Sequence, residues 1–142
     1  MVVTEADRVR ICEHECAHAI TAMHFGFPVS RVAGGWDRDN HVKYDGGGDD
    51  CLVVVAAGIA WSGLLDPGVI SDVMTIVKEL GLEEAGSDTQ MAAIYPLMDR
   101  AARIIRRHRG VFEEMSERLV ASGVLESGEL AYFARRVEES RG

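Results

Sequence analysis

The sequence predicts a mainly α-helical domain with one small β-ribbon. Apolar residues recur at helical spacing along most of the 142-residue chain. Two short stretches of alternating apolar and polar residues, Val29–Ala33 and His41–Tyr44, flank a turn-rich segment and predict an antiparallel hairpin. A hydrophobic content of 47% is typical of a globular protein, and the length suits one domain spanning residues 1–142.

Capping and breaking residues set the limits of the expected helices. Thr4 and Asp7 resemble a capping box at the start of the first helix, and Gly26 follows its end. Pro96 is expected to kink or break a later helix at Tyr95. The predicted helices cover residues 5–25, 49 or 50 to 65, 71–80, 87–95, 97–122 and 127–139.

The stretch most specific for a function is His14-Glu15-Cys16-Ala17-His18, an H-E-x-x-H motif inside the first predicted helix. At 3.6 residues per turn, His14 and His18 lie about 40° apart on one helical face. Two neutral imidazoles so placed can occupy two corners of a zinc site. Glu15 starts one residue along, where it can act as a base toward water without ligating the metal.

Sequence spacing alone does not identify the third ligand of such a site. A catalytic zinc usually takes three protein ligands and leaves one position for water. The downstream candidates are Glu79, Glu83, Glu84 and Asp88. His41 is a candidate fourth ligand, although a histidine on a strand face is the commoner outcome. Cys12 and Cys16 lie roughly opposite the histidines around the helix and are expected to pack in the core.

Charge and composition exclude several classes of protein. A net charge of −8 argues against nucleic acid or an anionic membrane as the main partner. The longest apolar run, residues 51–65, is shorter than the roughly 20 residues needed to span a bilayer. The N-terminus lacks the basic and apolar pattern of a signal peptide. With an odd count of three cysteines, reduced thiols and a cytoplasmic location are expected.

Several segments resemble, in order, the peptidase domain of the FtsH-type ATP-dependent zinc proteases, peptidase family M41. Residues 14–19 resemble the family's H-E-A-G-H-A. The similar segments that follow are 28–32 (Pro-Val-Ser-Arg-Val), 56–60 (Ala-Ala-Gly-Ile-Ala), 86–92 (Gly-Ser-Asp-Thr-Gln-Met-Ala) and 102–130. The resemblance covers nearly the whole chain, and its first segment is the specific one.

The resemblance implies a helical zincin-like fold with the β-ribbon beside the active site. It further implies that Asp88 is the third ligand, that Zn²⁺ is the cofactor and that Glu15 is catalytic. The implied activity is hydrolysis of peptide bonds in a polypeptide substrate. Members of the family assemble into hexamers, so a homo-oligomer is among the expected states.

The chain departs from the family at three points. Ala17 replaces a glycine of the zinc motif, and Ser62 and Gly63 stand where the family usually has two glutamates. No G-x-x-x-x-G-K-[ST] motif of an ATPase occurs in the sequence.

These departures leave three functions open. The first is a zinc metalloendopeptidase that cleaves unfolded or flexible segments without its own ATPase, alone or with a separate unfoldase or regulatory protein. The second is a zinc-binding regulatory module of the same fold with little or no peptidase activity. The third is a helical domain without a metal, in which the H-E-x-x-H motif is accidental.

Overall fold

The computed structural model describes residues 3–35 and 39–141. Over these residues the fold is mainly α-helical with one small antiparallel sheet, as the sequence predicts. The helices are α1 (Glu5–His24), α2 (Asp50–Ser62), α3 (Ile70–Glu79), α4 (Ser87–Arg107), α5 (Arg109–Ser122) and α6 (Ser127–Arg141), with a 3₁₀ turn at Pro67–Val69. The strands are β1 (Val29–Ala33), β2 (His41–Tyr44) and β3 (Val124–Glu126).

Helix α1 is the central element of the fold. The predicted capping box is present, since the Thr4 hydroxyl accepts from the Asp7 amide and the Asp7 carboxylate accepts from the Thr4 amide. The helix packs against α2, α5, α6 and β1. Cys12, Cys16 and Ile20 are fully buried on it, so the two cysteines pack in the core as expected. Because so much of its surface is covered, α1 carries the H-E-x-x-H motif in a rigid position.

The sheet has the order β2-β1-β3 and contains one strand more than predicted. Val32 of β1 lies opposite Val42 on one side and Leu125 on the other. Strand β3 has only three residues, too few to show alternation in the sequence. It forms because Gly123, at φ 79°, ends α5 and turns the chain toward β1. Residues 36–38 of the predicted turn lie outside the described part of the chain.

Two predicted helix boundaries are wrong. Helix α4 continues through Pro96, and the chain breaks instead at His108. Proline has no amide hydrogen, so Pro96 cannot donate to the carbonyl oxygen of Ala92. Both residues are exposed, so water can hydrate that carbonyl. Helix α2 ends at Ser62 rather than residue 65 because Gly63 adopts φ 87°.

Tertiary contacts of His108 explain the break between α4 and α5. Its ring is 1% exposed, with Nε2 2.9 Å from Nδ1 of His24 and Nδ1 2.7 Å from Oγ of Ser140. His24 is half-buried at the C-terminal end of α1. No helix in residues 3–35 or 39–141 is long and apolar enough to cross a bilayer.

The His108 cluster predicts a pH-dependent stability. Burial, with the charges of His24 and Arg107, lowers the pKa of His108 to about 4 from its ordinary 6.5. As the pH falls, the unfolded chain therefore binds a proton at this histidine before the folded chain does. The free energy of unfolding decreases as the pH falls from about 6.5 toward 4. The His108–His24 pair is expected to reduce the free energy of unfolding by up to about 2 kcal/mol between pH 7 and 5.

Urea unfolding of the wild type and His108→Gln at pH 7 and pH 5 measures this contribution. The variant is expected to be less stable at pH 7 but to lose up to about 2 kcal/mol less on acidification. An equal pH dependence of the two proteins would contradict the assignment.

Candidate metal centre

The middle of α1 places the three motif residues at the inner end of a cleft. His14 and His18 are half-buried, with side-chain exposures of 16% and 12%, and Glu15 is buried. The Nε2 atoms of the two histidines lie 3.2 Å apart, as helical spacing of four residues predicts. The two imidazoles therefore direct one nitrogen each to a common point.

A carboxylate from α3 completes the group. Oδ2 of Asp72 lies 3.2 Å from Nε2 of His14 and 3.4 Å from Nε2 of His18. Tetrahedral zinc with bonds of about 2.0–2.1 Å holds its ligand atoms about 3.3 Å apart. The buried Oδ2 atom has no other hydrogen-bond partner among the described residues. The two nitrogens and one oxygen thus have the separations of one face of a tetrahedral metal site.

Helix α2 orients both imidazole rings from behind. Nδ1 of His18 lies 2.7 Å from the carbonyl oxygen of Val54, which can only accept, so Nδ1 carries the hydrogen. The lone pair is then on Nε2, the atom that faces the metal position. Nδ1 of His14 lies 2.8 Å from Oγ of Ser62. Ser62 therefore supports one candidate ligand.

Gly58 allows α2 to approach the three candidate ligands. A Cβ atom added to Gly58 would lie 2.6 Å from the rings of His14 and His18 and 2.7 Å from Oδ2 of Asp72. Such distances are shorter than van der Waals contact. A side chain of any size at this position would displace the ligands, so glycine is required by space and not by backbone conformation.

The charges of the group suit metal binding and base catalysis. Burial alone would raise the pKa of Asp72, but His14 and His18 lower it to about 2. Burial acts to lower the pKa of His18, but the Asp72 and Glu15 carboxylates outweigh it and raise that pKa. Burial also raises the pKa of Glu15, against the opposing effect of the histidines. Asp72 is thus ionised at neutral pH, and Glu15 is shifted toward the range in which a general base works.

The group opens into a cleft of about 440 Å³. Its walls beyond the three ligands include Arg10, Asn40, Ser62 and Asp66. Arg10 lies 3.6 Å from Asp66 and 3.0 Å from Asp7, so its charge is offset by two carboxylates. The candidate ligands and Glu15 are therefore accessible from one side of the molecule.

Asp88 does not lie at this group. It is exposed in the first turn of α4, and the described residues that could hold a metal are His14, His18 and Asp72. The assignment of Asp88 by resemblance is therefore replaced by Asp72. The other downstream candidates, Glu79, Glu83 and Glu84, are also exposed and outside the group.

The position of Asp72 in the sequence carries a signal that it lies on the buried side of α3. Asp72 lies one helical turn before Ile76, which is fully buried. A carboxylate four residues from a buried apolar residue lies on nearly the same face of the helix. Asp72 was therefore placed to point inward, whereas Asp88 follows a loop in a helix whose first turn is exposed.

His41 lies near Glu15 without joining the metal-capable group. It begins β2, and its Nδ1 lies 2.9 Å from the carbonyl oxygen of Asp39. Its charge is among those that act to lower the pKa of Glu15. The expectation of a strand-face histidine is met, and the alternative of a fourth ligand has no support among the described residues.

Comparison of the chain with family models and with curated proteins finds no match. The assignment of a function therefore depends on the geometry of the cleft and on the sequence motif.

Substitution of the third ligand tests the metal centre directly. Asp72→Ala is expected to lower Zn²⁺ affinity at least about 100-fold, because a ligand is lost outright. Asp88→Ala is the matched control and is expected to bind Zn²⁺ as the wild type does. Competition with a chromophoric chelator measures both affinities. The reverse order of the two variants would restore Asp88 as the ligand.

Substitution of Gly58 tests the packing behind the ligands. Gly58→Ala is expected to weaken Zn²⁺ binding at least about tenfold, since the added methyl group displaces all three ligands. Gly110→Ala is the control, because its Cβ would have no neighbour within 4 Å. Titration with Zn²⁺ and circular dichroism together separate loss of the site from loss of the fold. Wild-type affinity in Gly58→Ala would contradict the packing argument.

Proposed function

We propose that this protein is a zinc-dependent metallopeptidase. The observation that carries the proposal is the triangle of two histidine nitrogens and one Asp72 oxygen, 3.2–3.4 Å on a side, with Glu15 beside it in an open cleft. Imidazole and carboxylate ligands with tetrahedral separations favour zinc among the common metals.

The candidate ligands and the base have separate tasks. His14, His18 and Asp72 would hold Zn²⁺, which when bound lowers the pKa of water to about 7 and polarises a carbonyl group. The Glu15 carboxylate accepts the proton of the attacking water and returns it to the leaving amine. Its burial keeps this proton away from bulk solvent between the two transfers.

The position of β2 supports an extended polypeptide as the substrate. Strand β2 is at one end of the sheet, so one of its edges has no strand partner in the described part of the chain. The residue before it, Asn40, lines the metal cleft. An unfolded or flexible segment can add to such an edge through its main chain, which gives affinity with little dependence on sequence. Folded proteins would need a separate unfoldase or regulatory partner.

A cytoplasmic location is part of the same proposal. The three cysteines are all free thiols in the structure, which favours a reducing compartment. A homo-oligomer is the assembly that the family resemblance suggests.

A zinc-binding regulatory module is the second candidate. It is favoured by Ser62, which puts a neutral hydroxyl against His14 where the resembled family usually has a glutamate. It is disfavoured by Glu15, because a scaffold has no use for a buried carboxylate next to its metal ligands.

Turnover of an unfolded protein separates the two candidates. Zinc-loaded wild type is expected to degrade casein, and Glu15→Gln is expected to keep its zinc but lose activity at least about 100-fold. The reason is that glutamine cannot accept the proton of water. Loss of activity on chelation and its recovery with Zn²⁺ serve as the metal control. Inactivity of both zinc-loaded proteins would favour the regulatory module.

A further inference from the structure

A second cavity, of about 500 Å³, shares two parts of the chain with the metal cleft. Asn40, which precedes β2, lines the metal cleft together with Ser71 of α3. Tyr44, the last residue of β2, lines the second cavity together with Thr75 and Glu79 of α3 and with residues of α2. The stretch 40–44 and α3 therefore contribute to both cavities.

Along both of these stretches, the residues that line the metal cleft come before those that line the second cavity. From Asn40 to Tyr44 an extended strand rises about 13 Å. From Ser71 to Glu79 a helix rises about 12 Å. The wall residues thus appear in the same order and over nearly the same length on both sides. A single groove explains this match, and its length corresponds to three or four residues of an extended peptide.

We propose that the second cavity is a subsite for a lysine or arginine side chain of the substrate, three or four residues from the scissile bond. The inference deepens the proposed peptidase function and names a class of substrate. It rests on the proposed function, because a peptidase binds a polypeptide chain. The inference adds a preference for a basic side chain, which the metal centre itself does not supply.

The lining of the cavity fits a long cationic side chain. Leu52, Val55 and Leu80 provide apolar wall for the methylene groups of lysine or arginine. Asp49 and Glu79 add two carboxylates, and no ion pair engages either of them in the described residues.

The Asp66 carboxylate in the metal cleft differs from these two, because it lies 3.6 Å from Arg10. Burial raises the pKa of Tyr44 to about 12, so its phenol stays neutral at pH 7. Asp49 and Glu79 therefore give the second cavity two carboxylates that no arginine or lysine of the described residues neutralises.

Cleavage of a peptide series locates the subsite. The zinc-loaded full chain is given alanine–serine decapeptides that carry one lysine, leucine or glutamate at each position in turn, and mass spectrometry identifies the cleaved bond. Lysine is expected to raise kcat/KM about tenfold over leucine at one position, three or four residues from that bond. A tenfold effect corresponds to about 1.4 kcal/mol.

Charge removal tests the assigned residues. In Asp49→Asn/Glu79→Gln the lysine preference over leucine is expected to fall to within twofold. Glu84→Gln removes an exposed carboxylate outside the cavity and is expected to keep the preference. A wild type that cleaves these peptides with no positional preference, or a preference that survives the double variant, would overturn the subsite and leave the peptidase function standing.

Binding to the inactive protein separates the two proposals. Fluorescence anisotropy with zinc-loaded Glu15→Gln and the same labelled peptides measures the groove without hydrolysis. If the wild type cleaves nothing, tighter binding of the lysine peptides that depends on Asp49 and Glu79 would support the groove and count against the peptidase. Charge-independent binding, or none, in a wild type that cleaves nothing would overturn both.

Discussion

The contact of α1 with α2 at Gly58 is the constraint on which the candidate site depends. Only a residue without a side chain lets α2 come within reach of His14 and His18. At this distance the Val54 carbonyl and the Ser62 hydroxyl contact the outer nitrogens of both rings. The close packing of α1 against α2 thus also orients the two imidazoles. If the helices moved apart, both rings would lose their hydrogen-bond partners together.

Ser62 gives His14 a neutral hydrogen-bond partner. A serine hydroxyl both donates and accepts, so it can satisfy Nδ1 of His14 in either tautomer. A carboxylate at that place would instead add negative charge and raise the basicity of the ring. The neutral partner leaves Asp72 as the main carboxylate at the metal position, with Glu15 available for proton transfer.

Helix α3 contributes a residue to the candidate metal centre and another to the second cavity. Its first turn supplies Asp72 to the candidate metal centre, and its last turn supplies Glu79 to the second cavity. The buried face of the helix, with Ile76 and Val77, packs in a small cluster with α2 residues such as Ile59. One short amphipathic helix therefore sets both the third ligand and the proposed preference for basic side chains.

The sequence alone determined the helical class, the β1–β2 hairpin and the His14-Glu15-x-x-His18 arrangement. Each of these depends on contacts between residues a few positions apart, which periodicity and capping record. The tertiary structure decided which carboxylate lies beside the two histidines, since Asp72 and not Asp88 belongs to the group that could hold a metal. It also decided the break at His108, which side chains from α1 and α6 surround. Such contacts join residues far apart in the chain, and no local pattern encodes which distant partner will cover a given side chain.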